Sequence, residues 1–172
     1  MRVYTPKLVW APHPNRDTQR AVERVIDEWK GTPYQSGQRL KGLAADCVGS
    51  VCGILDELDG RDRAGYPELP HDAAFHNRRE AMKGMAVIVR RYRPVESINP
   101  NRFEEPTLAY PGNIVVLGQG AGGPGHVAIV GARENELWHA TQAPGFHQQG
   151  WALFRQQQLF RLYRILDDKR WR

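Results

Sequence analysis

The chain has 172 residues, of which 41% are hydrophobic and 25% are charged, a balance typical of one folded domain that buries its own core. The net charge of +5 is spread along the sequence and is not interleaved with aromatic residues, which argues against specific nucleic-acid recognition. The start of the chain lacks the apolar core of a signal peptide, and no apolar run is long enough to span a membrane. We therefore expect a protein that is made in the cytoplasm, with no export signal of its own and no membrane span.

The first half of the chain is predicted to be mainly helical. Apolar residues recur at helical spacing in three segments, residues 17–30, 47–58 and 73–91. In the last of these, Val87-Ile88-Val89 could instead end the helix in extended structure. Residues 1–16, with three prolines, are predicted to be irregular, either a strap over the domain or a docking arm. The other segments predicted to be irregular are a loop at 34–45, turns at 59–70 and a surface linker at 94–110.

The second half is predicted to be a sheet. Short apolar runs indicate strands at residues 114–117, 126–130, 136–141 and 159–165, with a short helix at 151–158. Helices followed by strands are typical of the α+β class with an antiparallel sheet. We predict one domain over residues 17–168, with an insert at about 59–110 and a basic tail at 169–172.

Asp46 and Cys47 mark the predicted start of the second helix. Asp is a favoured N-cap residue, because its carboxylate accepts hydrogen bonds from the free N–H groups of the first turn. The apolar stripe of this helix predicts one buried face, and Cys47 lies off that stripe. The helix dipole favours a thiolate there, so the pKa of Cys47 is predicted to lie below the free value of about 8.5. A nucleophile and a small buried thiol are both compatible with these residues alone.

Two histidines could serve such a nucleophile, which needs a base and a third group that orients the base. His126 opens one predicted strand and His139 lies in the next. In a hairpin with an even-numbered loop, opposed residue numbers add to an odd total, as these two do, so both rings are predicted to share one face. A turn at residues 132–133 would place them directly opposite each other, and a turn at 134–135 would offset them.

Other candidate sites are weaker. The glycine-rich run at 118–125 precedes a strand and lacks the Lys-Ser/Thr of a phosphate-binding loop. The acidic cluster of Asp56, Glu57, Asp59 and Asp62 lacks calcium-loop spacing and is expected to be solvated. His147 is placed in a Gln-rich loop at the rim of a cleft. We expect no metal and no cofactor.

Five short motifs in register resemble the NlpC family of papain-like cysteine peptidases of bacterial peptidoglycan. They are Trp29-x-Gly31-Thr32-Pro33-Tyr34, Asp46-Cys47-x-Gly49-x-Val51, Pro111-Gly112-Asn113, His126-Val127-Ala128-Ile129-Val130 and Trp138-His139-Ala140. The resemblance implies a papain-like α+β fold, in which the nucleophile helix packs on a central antiparallel sheet. The Ala45-Asp46-Cys47-x-Gly49 form and the long insert resemble members encoded by tailed phages and gene transfer agents.

Carried over to this chain, the resemblance implies that Cys47 is the nucleophile, His126 its general base and His139 the orienting third member. Tyr34 would support the oxyanion. The positions implied to contact substrate are Ser36, Asp46, Gly125 and Trp138. The implied reaction is cleavage of a peptidoglycan stem peptide between D-glutamate and a diamino acid.

The implied setting is a phage tail tip that opens the cell wall locally during genome delivery, with tail-tip or hub proteins as partners. The enzyme would be made in the host cytoplasm, carried on the virion, and active in the wall or periplasm. Two alternatives stay open from the sequence. One is a structural tail protein with the same fold and little hydrolysis, and the other is a basic nucleic-acid-binding module.

Overall fold

The computed structural model describes residues 8–60, 78–94, 96–98, 107–119, 123–150 and 159–164. The predicted turns at 61–70, the start of the predicted third helix, the predicted helix at 151–158 and the basic tail lie outside these residues. Three helices are described: α1 (Arg16–Trp29), α2 (Cys47–Leu58) and α3 (Arg78–Tyr92). Ten strands are described: β1 (Leu8–Trp10), β2 (Arg39–Leu40), β3 (Ala44–Ala45), β4 (Glu96–Ile98), β5 (Thr107–Ala109), β6 (Ile114–Gln119), β7 (Gly123–Val130), β8 (Glu136–Thr141), β9 (Gly145–Gly150) and β10 (Leu159–Arg164).

Helix α1 forms where its amphipathic pattern predicts. The side chain of Asn15 caps it by accepting from the backbone N–H of Asp17 at 2.8 Å and of Thr18 at 3.2 Å. Its apolar face is buried and ends at Trp29, whose indole is fully buried. The chain then turns at Gly31, which has a φ of +76° that side-chain-bearing residues rarely adopt.

Helix α2 also has the predicted bounds and the predicted Asp46 cap. The prediction of a single buried face is wrong, because every residue from Cys47 to Asp56 is buried. The helix packs on α1 and on strands β7 and β8, so it is enclosed rather than laid on a surface. Gly53 allows the approach to α1, since a Cβ atom at this position would lie 2.2 Å from the Trp29 ring.

Helix α3 stays helical through Val87–Val89 and ends at Tyr92, so the extended alternative is wrong. The expectation of a solvated acidic cluster is wrong at Asp56, which is 2% exposed. Asp56 Oδ1 accepts from Arg91 Nε at 3.1 Å and from the Tyr92 hydroxyl at 2.9 Å. Burial nevertheless raises the pKa of Asp56. These contacts tie α3 to α2 through a buried charge, which is costly unless it is paired and hydrogen-bonded.

The main sheet has six antiparallel strands in the order β4-β10-β6-β7-β8-β9. A large apolar cluster lies between one sheet face and the helices, and includes Val48, Ile88 and Ile129. A smaller cluster on strands β5, β6, β7, β8 and β10 includes Val115 and Leu137, and Trp10 of β1 packs against it. The predicted α+β class with an antiparallel sheet is confirmed.

Several segments that were predicted to be irregular form short strands. Strand β1, within the predicted arm, pairs in parallel with β5, within the predicted linker. Strands β2 and β3 pair in the predicted loop at 34–45, and β4 pairs with β10. A strand of two or three residues is too short to show the alternation of apolar and polar residues that identifies a strand in a sequence. Whether such a segment forms a strand depends on pairing with residues far along the chain. In the part of the chain that the structure describes, none of the helices is long and apolar enough to cross a bilayer.

Candidate active site

Asp46 fixes the start of α2 and the loop in front of it. Its Oδ1 accepts from the N–H of Gly49 at 2.6 Å, and its Oδ2 accepts from the N–H of Gly37 at 2.7 Å. The residue is 1% exposed, so its carboxylate serves the backbone and is closed to solvent. The geometry therefore gives Asp46 a positioning role in place of the predicted contact with substrate.

Cys47 follows directly and is 4% exposed. The backbone N–H groups of Val127, on β7, and of Cys47 and Val48 favour the thiolate form of this sulfur. Burial and the adjacent Asp46 charge outweigh these donors and raise the pKa of the Cys47 thiol. The predicted lowering of this pKa is therefore wrong for the structure described, because the helix-end effect is smaller than the loss of water around the sulfur.

His126 and His139 are in direct contact. His126 Nε2 lies 2.7 Å from His139 Nδ1, and the ring planes are nearly perpendicular, with centroids 4.9 Å apart. The predicted shared face is confirmed by the register, in which Ile129 opposes Trp138 and Val130 opposes Leu137. The loop lies between the two turns considered from sequence, and a hydrogen bond from Gly131 N to Glu136 O closes it. Continued along both strands, this register places Thr141 opposite His126, so His139 lies two residues from that position and on the same sheet face.

Both histidines are held in their neutral forms. Burial lowers the pKa of His126 to about 3, with further lowering from the charges of His139 and His147. Burial also lowers the pKa of His139 to about 4, again with a contribution from His147. The resting thiol and both imidazoles are thus neutral.

The Cys47 thiol lies against strand β7 at Val127, and His126 is the preceding residue of that strand. Among the described residues, no hydrogen bond joins Cys47 to the His126 ring, and the sulfur contacts the backbone of Val127 instead. Neighbouring side chains on a strand point to opposite faces, so the ring of His126 and the side chain of Val127 lie on opposite faces of the sheet. Catalytic hydrogen bonds are commonly long or misaligned before substrate binds.

Strand β9 places a third histidine next to the pair, and the sequence analysis did not predict this strand. His147, predicted to lie in a loop, instead opposes His139 in the register of β8 and β9. Their ring centroids are 4.5 Å apart, and His147 Nδ1 lies 2.9 Å from the carbonyl oxygen of Gly145. Gln149, two residues further on, opposes Leu137 and so lies on the same sheet face as His139. The period-two spacing of His147 and Gln149 was the available sequence signal, and the glycines on either side obscured it.

Three of the residues predicted to support the oxyanion or contact substrate lie around Cys47 and the two histidines. Tyr34 is half-buried and forms an isolated β-bridge with Ala45, just before the start of α2. Burial raises the pKa of Tyr34, and the charges of Cys47 and Asp46 add to this, so the phenol is within electrostatic reach of the thiol. Ser36 lies in the turn whose Gly37 N–H is held by Asp46, and Gly125 is buried immediately before His126.

Trp138 lies on the other side of β8 from His139. It is 6% exposed and stacks on Phe146 with ring centroids 5.7 Å apart. It faces a cavity of about 470 Å³ that lies against helix α1 and is lined also by Ile26 and Lys30. Alternation along the strand points it away from the histidine pair and into the helix-side core cluster that also contains Cys47.

In the described ranges, no three His, Cys, Asp or Glu side chains are grouped so as to hold a metal ion. The side chains of this site offer a thiol at a helix start, a neutral imidazole pair and a nearby phenol.

No family model matches the sequence, and no match was found among curated proteins. Several solved structures are similar in fold. NlpC2 from Trichomonas vaginalis is 14% identical with a TM-score of 0.54, over 89% of this chain and 48% of that chain. NlpC1 from the same organism is 15% identical with a TM-score of 0.53, over 87% and 44%. A protein described as similar to lipoprotein, of the NLP/P60 family, from Staphylococcus aureus is 18% identical with a TM-score of 0.52, over 90% and 43%.

The chain spans less than half the length of those three proteins. At these identities the similarity establishes the fold, and the predicted NlpC-type α+β fold is confirmed.

Proposed function

We propose that this protein is a cysteine hydrolase that cleaves amide bonds in the stem peptides of bacterial peptidoglycan. The observation that carries the proposal is the 2.7 Å contact between His126 and His139, beside a helix that starts at Cys47. Nucleophilic catalysis by a thiol requires a nearby base and a third group that orients the base, the roles proposed for His126 and His139. The NlpC/P60 fold supports peptidoglycan as the substrate class.

In the proposed reaction His126 takes the proton of Cys47 as the sulfur attacks the substrate carbonyl carbon. The Tyr34 hydroxyl and the N–H groups at the start of α2 are proposed to stabilise the resulting oxyanion. When the C–N bond breaks, His126 returns the proton to the departing amine and a thioester is left on Cys47. Water, deprotonated by His126, then releases the carboxylic acid and restores the thiol. The bond proposed is that between D-glutamate and a diamino acid.

Purified peptidoglycan provides the direct test. Incubation with the wild-type protein, followed by mass spectrometry of the soluble fragments, is expected to release new peptide termini at that bond. Cys47→Ala should release none, while Cys52→Ala, which alters the other cysteine of the same helix, should retain activity if it folds. Equal release by wild type and Cys47→Ala, or no release by wild type, would rule the proposal out.

The second candidate is a structural protein with the same fold and little or no hydrolysis. The specific observation in its favour is the closed resting site, with Cys47 4% exposed and its pKa raised by burial. It predicts no fragment release from any peptidoglycan, together with stable incorporation into a larger particle. The digestion assay separates the two candidates.

A tail-tip location is a further part of the proposal and rests on the sequence resemblance to phage and gene-transfer-agent members. Mass spectrometry of purified particles from the producing host should detect the chain in near-constant ratio to tail proteins. Its absence from the particles would remove this part and leave the hydrolase proposal standing.

A further inference from the structure

His139 is flanked by a histidine from each neighbouring strand of the sheet. Its Nδ1 atom is 2.7 Å from Nε2 of His126, on β7. On the β9 side its ring centroid is 4.5 Å from that of His147, with 42° between the two ring planes. The second contact follows from the register, in which His147 lies directly opposite His139, so both side chains stand on the same sheet face.

The contact between His126 and His139 depends on how the His139 ring is turned. A hydrogen bond weakens steeply when its donor and acceptor are misaligned. The outer torsion of a histidine side chain is broad and has no narrow staggered wells, so the side chain does not hold its own ring at one angle. Neighbouring groups must therefore hold the His139 ring if its Nδ1 atom is to stay aimed at His126.

His147 is the neighbour whose ring lies against that of His139, and it is itself held in place. Its Nδ1 atom is 2.9 Å from the carbonyl oxygen of Gly145, which can only accept, so Nδ1 carries a hydrogen and donates it. Strand β9 is the last strand in the order described for the main sheet, so this bond supplies a restraint that no further strand provides. The His147 ring is thus a fixed surface for His139 to pack on.

Gly145, the anchor of this ring, is fixed to the segment that follows α1. The next residue, Phe146, donates its N–H to the carbonyl oxygen of Thr32 at 2.8 Å, and its own carbonyl accepts from the N–H of Gly31 at 2.9 Å. Gly145 has a φ of +93°, and a Cβ atom there would lie 2.4 Å from the Thr32 oxygen, so glycine is required for this approach. The same segment leads directly to Tyr34, and it therefore connects both halves of the candidate site.

We propose that His147 is a positioning residue, whose ring packs against His139 and keeps that ring in the orientation that binds His126. The support runs from the segment after α1 through Gly145 and His147 to His139. The catalytic consequence rests on the proposed function, whereas the orienting of His139 by His147 does not.

NMR of ¹⁵N-histidine-labelled protein tests the proposal without any substrate, through the ¹⁵N–¹⁵N coupling across the hydrogen bond between His126 and His139. The wild type should show this coupling. His147→Ala should weaken or abolish it, because the His139 ring is then able to turn, and His147→Phe should keep it, because a ring still packs there. Gln148→Ala, at an exposed neighbouring position, is the matched control and should keep the coupling. Its absence from wild type, or its full strength in a folded His147→Ala variant, would overturn the proposal.

His147→Gln separates ring packing from hydrogen bonding. The glutamine amide can donate and accept in place of the imidazole nitrogens, but it provides no ring. We expect this variant to lose the coupling as His147→Ala does. Retention of the coupling by His147→Gln together with its loss in His147→Phe would show that the nitrogens of His147 matter and not its ring, and would contradict the proposal even if His147→Ala does not fold.

The activity test uses the same variants. His147→Ala should lower kcat on peptidoglycan by about ten- to a hundredfold with little change in KM, because a misdirected base slows the chemical step. His147→Phe should recover most of this loss. Equal losses in His147→Ala and His147→Phe, or a rise in KM alone, would contradict the proposal. Absence of Cys47-dependent hydrolysis by wild type would refute the proposed function alone, since the NMR result decides the role of His147 separately.

Discussion

The rings of His126 and His139 are joined by a 2.7 Å contact between Nε2 of the first and Nδ1 of the second. This contact orients His126 from behind, in the way that a base needs if it is to face a nucleophile. We predict that His139→Leu lowers kcat/KM on peptidoglycan by about a hundredfold or more, because the His126 Nε2–H loses its acceptor.

His139→Asn is the matched variant, because its amide oxygen can accept the same hydrogen. It should retain activity within about tenfold of wild type. Circular dichroism melts of both variants establish that they fold. Equal activity of His139→Leu and wild type would contradict an orienting role.

Burial dominates the acidity of Cys47. The pKa of this thiol is raised, and that of Cys52 is raised to about 12, also by burial. We predict that iodoacetamide modifies Cys47 slowly at neutral pH, with an apparent pKa above the free value of about 8.5. The rate is measured against pH, with fragment-ion mass spectrometry to separate the two cysteines. An apparent pKa at or below 8.5 would show that the helix end prevails over burial.

The neutral histidine pair makes stability depend on pH. The pKa of His126 is lowered to about 3 and that of His139 to about 4, against about 6.5 in an unfolded chain. The unfolded state therefore binds more protons between these values, and the free energy of unfolding should be flat above pH 6.5 and fall as the pH drops toward 4. Urea unfolding across this range measures it. A His126→Asn/His139→Asn double variant should show a shallower fall, and an identical slope would count against the buried pair as its cause.

Asp46 joins the loop at Gly37 to the start of α2 through two short hydrogen bonds. We predict that Asp46→Ala destabilises the fold by about 2 kcal/mol or more, because a helix cap is lost and the part-buried N–H of Gly37 is left without its acceptor. Urea unfolding gives the magnitude. Asp17→Ala, at an exposed position of α1, serves as the control and should change stability by less than about 0.5 kcal/mol.

The close approach of α1 and α2 depends on Gly53. Helix propensity alone predicts that Gly53→Ala stabilises α2 by roughly 1 kcal/mol, but the new Cβ would lie 2.2 Å from the buried Trp29 ring. We predict net destabilisation of about 1–3 kcal/mol, the usual range for overpacking. The sign of the change in thermal unfolding decides between the two effects. A rise in Tm for Gly53→Ala would show that the helices separate without cost.

The sequence by itself determined the features that depend on neighbours along the chain. The Asp46 cap, the bounds of α2 and strand β8 follow from capping chemistry and from local apolar patterns. The shared face of His126 and His139 also follows, because the period of two along a strand holds for every even-numbered loop between them.

Only the tertiary structure decided what depends on distant packing. Which residue opposes His139, the strand that carries His147 and Gln149, and the burial of Asp56 all require partners that the local sequence does not specify. The same holds for the acidity of Cys47. Its helix-end position is a local property, but the loss of water around its sulfur depends on the sheet that packs against it, and desolvation is the larger effect.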